Sequence, residues 1–285
     1  MRPLITLSAF TLAFTGLLVG YTPGGSISPA ASATPSEGIH PACSTPRFPE
    51  PAPLGIDNQC GNQGNGGKEA AQNAIKNNFC PTTITPEPLT IADFQQLQKD
   101  VAKLTPPINF GPTGPATDRA PLTTLGEGTL VSLKAFVFIA RQEGGESVNC
   151  KGHVDDANPL NHDIHISFVD SIDNLIKTGD TKPIKDRKEC TGVVGELSPH
   201  HRPANWTAAN VNRVAAAQAL VRVTGQQFFD SSHVPCSNGS PVGTNPKRIS
   251  LWEVHPIYKF EVCMSNCNGG AAHWQSLDDW LAAHP

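Results

Sequence analysis

Three short segments of this 285-residue chain place histidine close to carboxylates, and their spacing carries the chemistry that the sequence offers. They are His162-Asp163-Ile164-His165, Glu196-Leu-Ser-Pro-His200-His201-Arg202 and Glu253-Val254-His255. Residues two apart in a strand point to the same face, so Asp163 would lie beside His165 and Glu253 beside His255. Imidazole nitrogens and carboxylate oxygens are the ligands that zinc, manganese and iron use. The pattern therefore suggests a mononuclear site for a divalent transition metal such as zinc.

Within that hypothesis His165 and His255 are the first two ligands, and either Glu196 or His200 is the third. Asp163 would then be a ligand or would orient one, since outer carboxylates commonly hold ligating histidines in place. A catalytic metal keeps one position open for water, and that water could attack an ester or a phosphodiester.

The catalytic candidates are Glu196, Arg202 and Glu253. Glu253 would orient a ligand or bind the metal itself, and Arg202 would neutralise a substrate anion. The alternative is structural, because a strand histidine that faces a glutamate commonly makes an ordinary hydrogen bond. The chain has no HExxH motif and no EF-hand loop, which favours the structural alternative.

Other chemistries find less support in the composition. There is no G-x-S-x-G motif, so a nucleophilic serine is not indicated. The formal net charge is -4 and aromatic residues make up 6%, so neither a basic field nor a stacking surface favours nucleic acid. We expect no nucleic-acid partner.

The N-terminus has the layout of a secretory signal peptide over residues 1–33. Arg2 precedes an apolar run from Leu4 to Gly20, and Ala31-Ser32-Ala33 supplies a small-residue cleavage site. An uncleaved membrane anchor is the rival, but the run is short for a span and contains Thr and Ser. The sequence therefore predicts a secreted or periplasmic protein with no membrane span after cleavage.

Eight cysteines follow that segment, and an even number in an exported chain favours disulfides. We expect four bridges, with all thiols used, so a thiolate nucleophile is disfavoured. Clustering suggests bridges among Cys43, Cys60, Cys80 and one partner. The other bridges would form among the five later cysteines, which are Cys150, Cys190, Cys236, Cys263 and Cys267.

Residues 34–121 are predicted to form a Pro/Gly-rich arm with short helices and a linker. A short helix is expected just before Cys80, and the clearest helix spans 90–104. Thr90 suits the N-cap of this second helix, and its apolar residues recur at helical spacing. Five prolines and two glycines make 105–121 a linker.

Residues 122–285 are predicted to form the main domain, which is rich in strands. Strands are expected at 129–141, 146–150, 163–170, 192–197, 220–229 and 248–262. A helix is expected at 206–219 and a short amphipathic helix near 277–283, whereas the charged residues 172–188 are predicted to loop out.

This order of elements resembles the OB-fold, a five-stranded, partly open barrel. The resemblance covers residues of about 125–263. It rests on Val131 to Arg141, Asp163 to Asp170, the Trp206 helix, VRVTG at 221–225 and ISLWEVHPIYKFEV at 249–262. It implies that the strands of His165 and His255 are the third and fifth of the fold, which are neighbours. The strand around Val194 would be an addition to the fold.

We therefore predict a mainly β protein with a few helices (α+β). It would be an OB-like five-stranded barrel with an extra strand, stabilised by disulfides and joined to a small helical N-terminal segment. A β-sandwich is the competing architecture. The segments NHDIHISFVD, ELSPHHRPANW and LWEVHPI also resemble a group of exported bacterial proteins of unknown function.

Two functions follow from these observations. The first is an exported binding or interaction module for an unknown small molecule, glycan or protein. The alternative is a metal-dependent hydrolase that uses the histidine and carboxylate segments. The first is favoured because no catalytic signature is complete and a fold by itself implies no activity.

Overall fold

The computed structural model describes residues 55–285, apart from 58, 79, 81–82, 84, 112–115, 152–156, 244–245 and 268. The predicted signal peptide, the first part of the arm and Cys43 lie outside these residues. The described strands are β1 (Glu87–Leu89), β2 (Leu130–Gln142), β3 (Ile164–Val169), β4 (Val193–Leu197), β5 (Leu220–Phe229), β6 (Trp252–Ser265) and β7 (His273–Ser276). The described α-helices are α1 (Ala70–Lys76), α2 (Ile91–Val101), α3 (Ala120–Thr123), α4 (Lys182–Glu189), α5 (Ala208–Ala216) and α6 (Leu277–Ala283).

Five strands close into a mixed barrel in the order β2-β3-β4-β6-β5, and β5 pairs back onto β2. All neighbours are antiparallel except β4 and β6, which run parallel. β1 adds to β2 in parallel, and β7 adds to β6. The predicted five-stranded barrel is therefore confirmed, and closure of the sheet excludes the β-sandwich.

The expected neighbourhood of the two histidine strands is wrong. β4, the strand around Val194, is a full member of the barrel and lies between β3 and β6. His165 on β3 is opposite Glu196 on β4, and Gly195 pairs with Val254 on β6. All five residues of β4 are buried, which is typical of a central strand and not of an addition at an edge.

Gly195 allows this close parallel pairing. A Cβ atom there would lie 2.9 Å from the Phe168 ring and 3.0 Å from Ile257. Only a residue without a side chain fits at this point without moving its neighbours. The glycine thereby fixes the position of the next residue, Glu196, between β3 and β6.

Two other expectations differ from the structure. Residues 146–150 form turns instead of a strand, because Cys150 is tied to Cys60 and not to a neighbouring strand. Within 172–188, predicted to loop out, α4 forms at Lys182–Glu189. That helix has a proline in its first turn but almost no apolar face, so the periodic signal for a helix is missing.

The helices cover the barrel with apolar faces. α2 buries Ile91, Phe94 and Val101, and Thr90 and Asp93 form a capping box at its start. α5 buries Val211 and Val214 completely, and each such side chain contributes about 1.5–3 kcal/mol. None of the described helices combines the length and the apolar content needed to cross a membrane.

Three disulfides join described residues: Cys60–Cys150, Cys190–Cys236 and Cys263–Cys267. Cys80 is also disulfide-bonded. The first bridge ties the segment before α1 to the turn after β2. It joins one of the early cysteines to one of the later group, as the clustering suggested.

Candidate functional site

A cavity of about 680 Å³ lies between α1, the turn after β2 and the residues that follow β5. Its charged lining residues are Glu69, Lys76, Glu143, Glu146, His165, Asp230 and His233. Gly144 and Gly145 form the turn that carries two of these glutamates into the cavity wall. The lining is thus mainly acidic.

His165 forms part of the cavity wall although only 3% of the residue is exposed. Its Nε2 atom lies 3.1 Å from Glu146 Oε1 and 3.0 Å from Glu196 Oε1. Its Nδ1 atom lies 3.3 Å from Glu143 Oε1. Neither ring nitrogen has a partner at the angles that a hydrogen bond requires. The imidazole is therefore in ion-pair contact with three carboxylates, at angles poorer than those of an ordinary hydrogen bond.

Glu196 divides its carboxylate between two histidines. Oε1 faces His165, and Oε2 lies 2.7 Å from His255 Nδ1 and 3.5 Å from Lys76 Nζ. The residue is completely buried, and neither oxygen has a partner at hydrogen-bond angles. Glu196 is thus the centre of the cluster, although it is not among the residues that line the 680 Å³ cavity.

A deeper layer of charge lies behind Glu196. His255 is completely buried, and its Nδ1 atom is 3.9 Å from Glu253 Oε2. The other oxygen of Glu253 is bound by Arg248, which also donates to Asp230 Oδ2 at 2.9 Å. This layer already holds its own permanent cation.

Burial and charge act in opposite directions on the two histidines. Burial alone would lower the pKa of His165, but Glu196, Glu143 and Glu146 outweigh it and raise the pKa well above its usual value. Burial would also lower the pKa of His255, but Glu196 and Glu253 outweigh it and raise that pKa to about 9. The surrounding carboxylates therefore favour positive charge at both rings.

The pKa values of the buried carboxylates depend on the charges around them. Burial would raise the pKa of Glu146, but Lys76 and His165 lower it to about 2. Burial and the nearby charges of Glu146 and Glu196 raise the pKa of Asp163 to about 7. Negative charge is therefore favoured at Glu146, beside Lys76 and His165, and disfavoured at Asp163.

The structure brings four of the predicted residues into one cluster: His165, Glu196, Glu253 and His255. Asp163 is completely buried, with no hydrogen bond to either carboxylate oxygen.

The other two predicted residues lie elsewhere. His200 Nε2 lies 3.1 Å from the Val148 carbonyl oxygen, and it belongs to neither ligand group that contains Glu196. Arg202 donates to the backbone carbonyls of Leu160, His162 and Leu197, and it is absent from the cavity wall.

Lys76, Glu143 and Glu146 belong to the site but were not singled out from the sequence. Lys76 is on α1, where Gln72 and Asn73 are buried as well. A short helix with a buried polar face packs against other polar groups. The spacing of Gln72, Asn73 and Lys76, which puts them on one side of α1, was the sequence signal that could have indicated this. The two glutamates flank the Gly144-Gly145 turn after the long strand β2.

Three groups of described residues place ligand atoms within 4.8 Å of one another. The first is Glu146, His165 and Glu196, and the second is Glu196, Glu253 and His255. The third contains Asp57, Cys150 and His200, but the sulfur of Cys150 is in a disulfide and cannot act as a thiolate. Only the first group includes residues of the cavity wall.

Comparison with protein-family models, curated proteins and solved structures yields no match to this chain. The function must therefore be argued from the geometry of the site.

Proposed function

We propose that this protein is an exported binding module whose cavity takes a small cationic ligand. The observation that carries the proposal is the charge of the cavity wall. Four carboxylates line it, those of Glu69, Glu143, Glu146 and Asp230. A cleft lined by one sign of charge concentrates ligands of the opposite sign.

The cations already present cancel this charge only in part, because they pair with Glu146 and Asp230. Lys76 Nζ is held 3.1 Å from Glu146 Oε2 and 3.5 Å from Glu196 Oε2, so it serves the cluster behind the wall. His233 Nδ1 is 2.5 Å from Asp230 Oδ2. Glu69 accepts hydrogen bonds from the Ser147 and Ser232 hydroxyls, and Glu143 lies 3.3 Å from His165 Nδ1. Neither has a Lys or Arg ion-pair partner among the described residues, so a cationic ligand would add the missing positive charge.

The size of the cavity suits a small molecule or a hydrated ion. Small-molecule sites usually measure about 300–1,000 Å³ and combine a few convergent polar groups with a preformed wall. Here α1, His165 of β3, the residues after β5 and a disulfide-tethered turn form that wall. The disulfides are also what a protein of an oxidising compartment would carry, which supports export.

Calorimetric titration with single probes tests the binding proposal. Spermidine, choline, Mn²⁺ and Ca²⁺ represent cations, and inorganic phosphate and citrate represent anions. We expect at least one cation to bind, and Glu69→Gln and Glu143→Gln to weaken it. Glu87→Gln, on the exposed strand β1, is the matched control. Binding of the anions alone would contradict the proposal.

Metal-dependent hydrolysis is the second candidate, and one observation favours it. His165 Nε2 and Glu146 meet at the cavity wall, so a metal held there would keep positions open for water and substrate. Release of nitrophenol from bis-p-nitrophenyl phosphate or p-nitrophenyl acetate measures this activity. We expect EDTA to abolish it, and no turnover by metal-loaded protein would exclude it for these ester classes.

A further inference from the structure

We propose that Glu146, His165 and Glu196 bind one divalent transition-metal ion through His165 Nε2 and one oxygen of each glutamate. The inference rests on the proposed function, since it specifies the cation that the acidic cavity takes. It differs from the ligand set expected from the sequence, in which His165 and His255 are the first two ligands and either Glu196 or His200 is the third. Five steps support it.

The first step is the spacing of the donor atoms. His165 Nε2 lies 3.1 Å from Glu146 Oε1 and 3.0 Å from Glu196 Oε1. Nitrogen and oxygen ligands sit about 2.0–2.2 Å from a transition metal, so two ligands at a right angle are about 3 Å apart. Both distances match that value. One ion can therefore contact all three side chains with little movement.

The second step is the missing hydrogen bonds. His165 is 3% exposed and Glu196 is fully buried, yet neither has a hydrogen bond to any of its side-chain nitrogen or oxygen atoms. Buried polar groups in folded proteins are nearly always paired, and each unpaired group costs about 1–3 kcal/mol. An ion between these atoms would use the lone pairs that no donor uses.

The third step is the difference between this triad and the deeper group of Glu196, Glu253 and His255. Glu253 is bound by Arg248, and the second oxygen of Glu196 faces His255 and Lys76. Internal cations thus occupy the deeper group, whereas the oxygen of Glu196 that faces His165 has no Lys or Arg partner among the described residues. His255 then orients Glu196 from behind, as outer-shell partners commonly do.

The fourth step is the balance of charge. The connected cluster contains five carboxylates, two permanently charged cations and three histidines: Glu143, Glu146, Glu196, Asp230, Glu253, Lys76, Arg248, His165, His233 and His255. The carboxylates exceed the two permanent cations by three charges, and uncompensated buried charge is strongly unfavourable. A divalent ion would supply two of the three positive charges that protonated imidazoles otherwise provide.

The fifth step is access and metal preference. His165 and Glu146 lie in the cavity wall, so the ion would keep an open side. One imidazole and two carboxylates form a nitrogen and oxygen donor set without sulfur. Such a set suits Mn²⁺, Fe²⁺ or Zn²⁺ and disfavours Cu(I).

Equilibrium dialysis of the chelator-stripped protein against Mn²⁺ or Zn²⁺, followed by elemental analysis, tests the inference. We expect one ion per chain in the wild type. His165→Ala and Glu146→Gln should each weaken binding more than about a hundredfold, because loss of an outer-shell partner alone costs about 10–100-fold. His200→Ala, at a buried histidine that contacts the Val148 carbonyl, should retain the ion.

Circular dichroism shows whether each variant folds. Glu146→Gln keeps the shape of a partly exposed turn residue, so it remains informative if His165→Ala does not fold. One bound ion in both folded variants would overturn the metal site. Binding of spermidine or choline without any metal would also overturn it while leaving the proposed function standing, and binding of no cation of either kind would overturn both.

Discussion

Two buried charged groups lie near the same end of the barrel and differ in how completely they are paired. Arg119 and Glu127 form one of them, with Nε of the arginine donating to Glu127 Oε2 at 2.9 Å. Its Nη2 donates to the other oxygen, and the Phe229 backbone amide donates to that same oxygen at 3.1 Å. The second group, Glu146 with His165 and Glu196, brings its charged atoms equally close without hydrogen-bond angles.

The comparison shows that burial alone does not distinguish a structural ion pair from a ligand site. Both groups combine buried carboxylates with cationic or basic side chains. The arginine fork matches the carboxylate, so the Arg119 pair is complete within the chain. The His165 group lacks such a match and reaches a cavity, and in the proposed metal site an ion from outside the chain would complete its pairing.

The largest expected effect on the free energy of unfolding comes from breaking the pair of Arg119 and Glu127. Arg119→Met leaves Glu127 buried without its partner, and removing one side of a buried pair costs about 3–5 kcal/mol. Urea unfolding measures this free energy. Lys103→Met, which breaks the exposed pair with Asp100, should cost less than about 1 kcal/mol. Equal losses for both variants would contradict the assignment of the Arg119 pair as structural.

Metal binding to the His165 group should give the next largest effect on stability. Mn²⁺ or Zn²⁺ at a hundred times its dissociation constant should raise the free energy of unfolding by about 2.7 kcal/mol, because it binds only the folded chain. Thermal unfolding with and without the ion measures this. The increment should vanish in His165→Ala, and an equal increment there would place the ion elsewhere.

Lys76 is a buried cation of the chain that contacts two members of the proposed metal triad, Glu146 and Glu196. Replacing it in Lys76→Met removes a positive charge 3.1 Å from Glu146 and 3.5 Å from Glu196. Metal affinity should rise roughly tenfold or more, because repulsion between the ammonium and the ion is lost. Calorimetric titration measures the change, with Lys68→Met on the same segment as the control. Unchanged affinity would separate Lys76 from the site.

His233 gives the smallest effect, through pH. Asp230 raises the pKa of His233, while Arg248 and burial oppose the rise and Glu253 supports it. A pKa raised by folding means that the stabilisation is complete below the unfolded value of about 6.5 and is lost as the pH rises through the folded value. The loss should stay below about 1 kcal/mol.

His233→Gln should flatten this part of the pH profile of urea unfolding. A profile that keeps its slope in the variant would assign the slope to another group.

Much of the fold could be predicted because its signals are local. The apolar periodicity of α2, its Thr90 cap and the alternation in β3 lie within single segments. Which strands become neighbours in the barrel depends instead on contacts between distant segments. That β4 separates β3 from β6 depends on the fit of Gly195 against Phe168 and Ile257, which no alternation pattern encodes.

The site was predictable only where its residues lie in strands. His165, Glu196, Glu253 and His255 belong to β3, β4 and β6, so their two-residue spacing was informative. Lys76 and Glu146 come from a short helix and a turn, whose approach to the barrel depends on the Cys60–Cys150 bridge and on long-range packing. His200 had the right residue type, but its backbone placed it against a carbonyl.

The complete burial of Glu196 has a consequence for which ion can reach it quickly. An ion entering from the cavity meets Glu146 and His165 first and must shed water on its inner side before the hidden oxygen can replace that water. Magnesium gives up its hydration shell reluctantly and prefers to retain several waters. At the proposed metal site, the depth of one carboxylate would therefore slow the entry of magnesium relative to ions that exchange water readily.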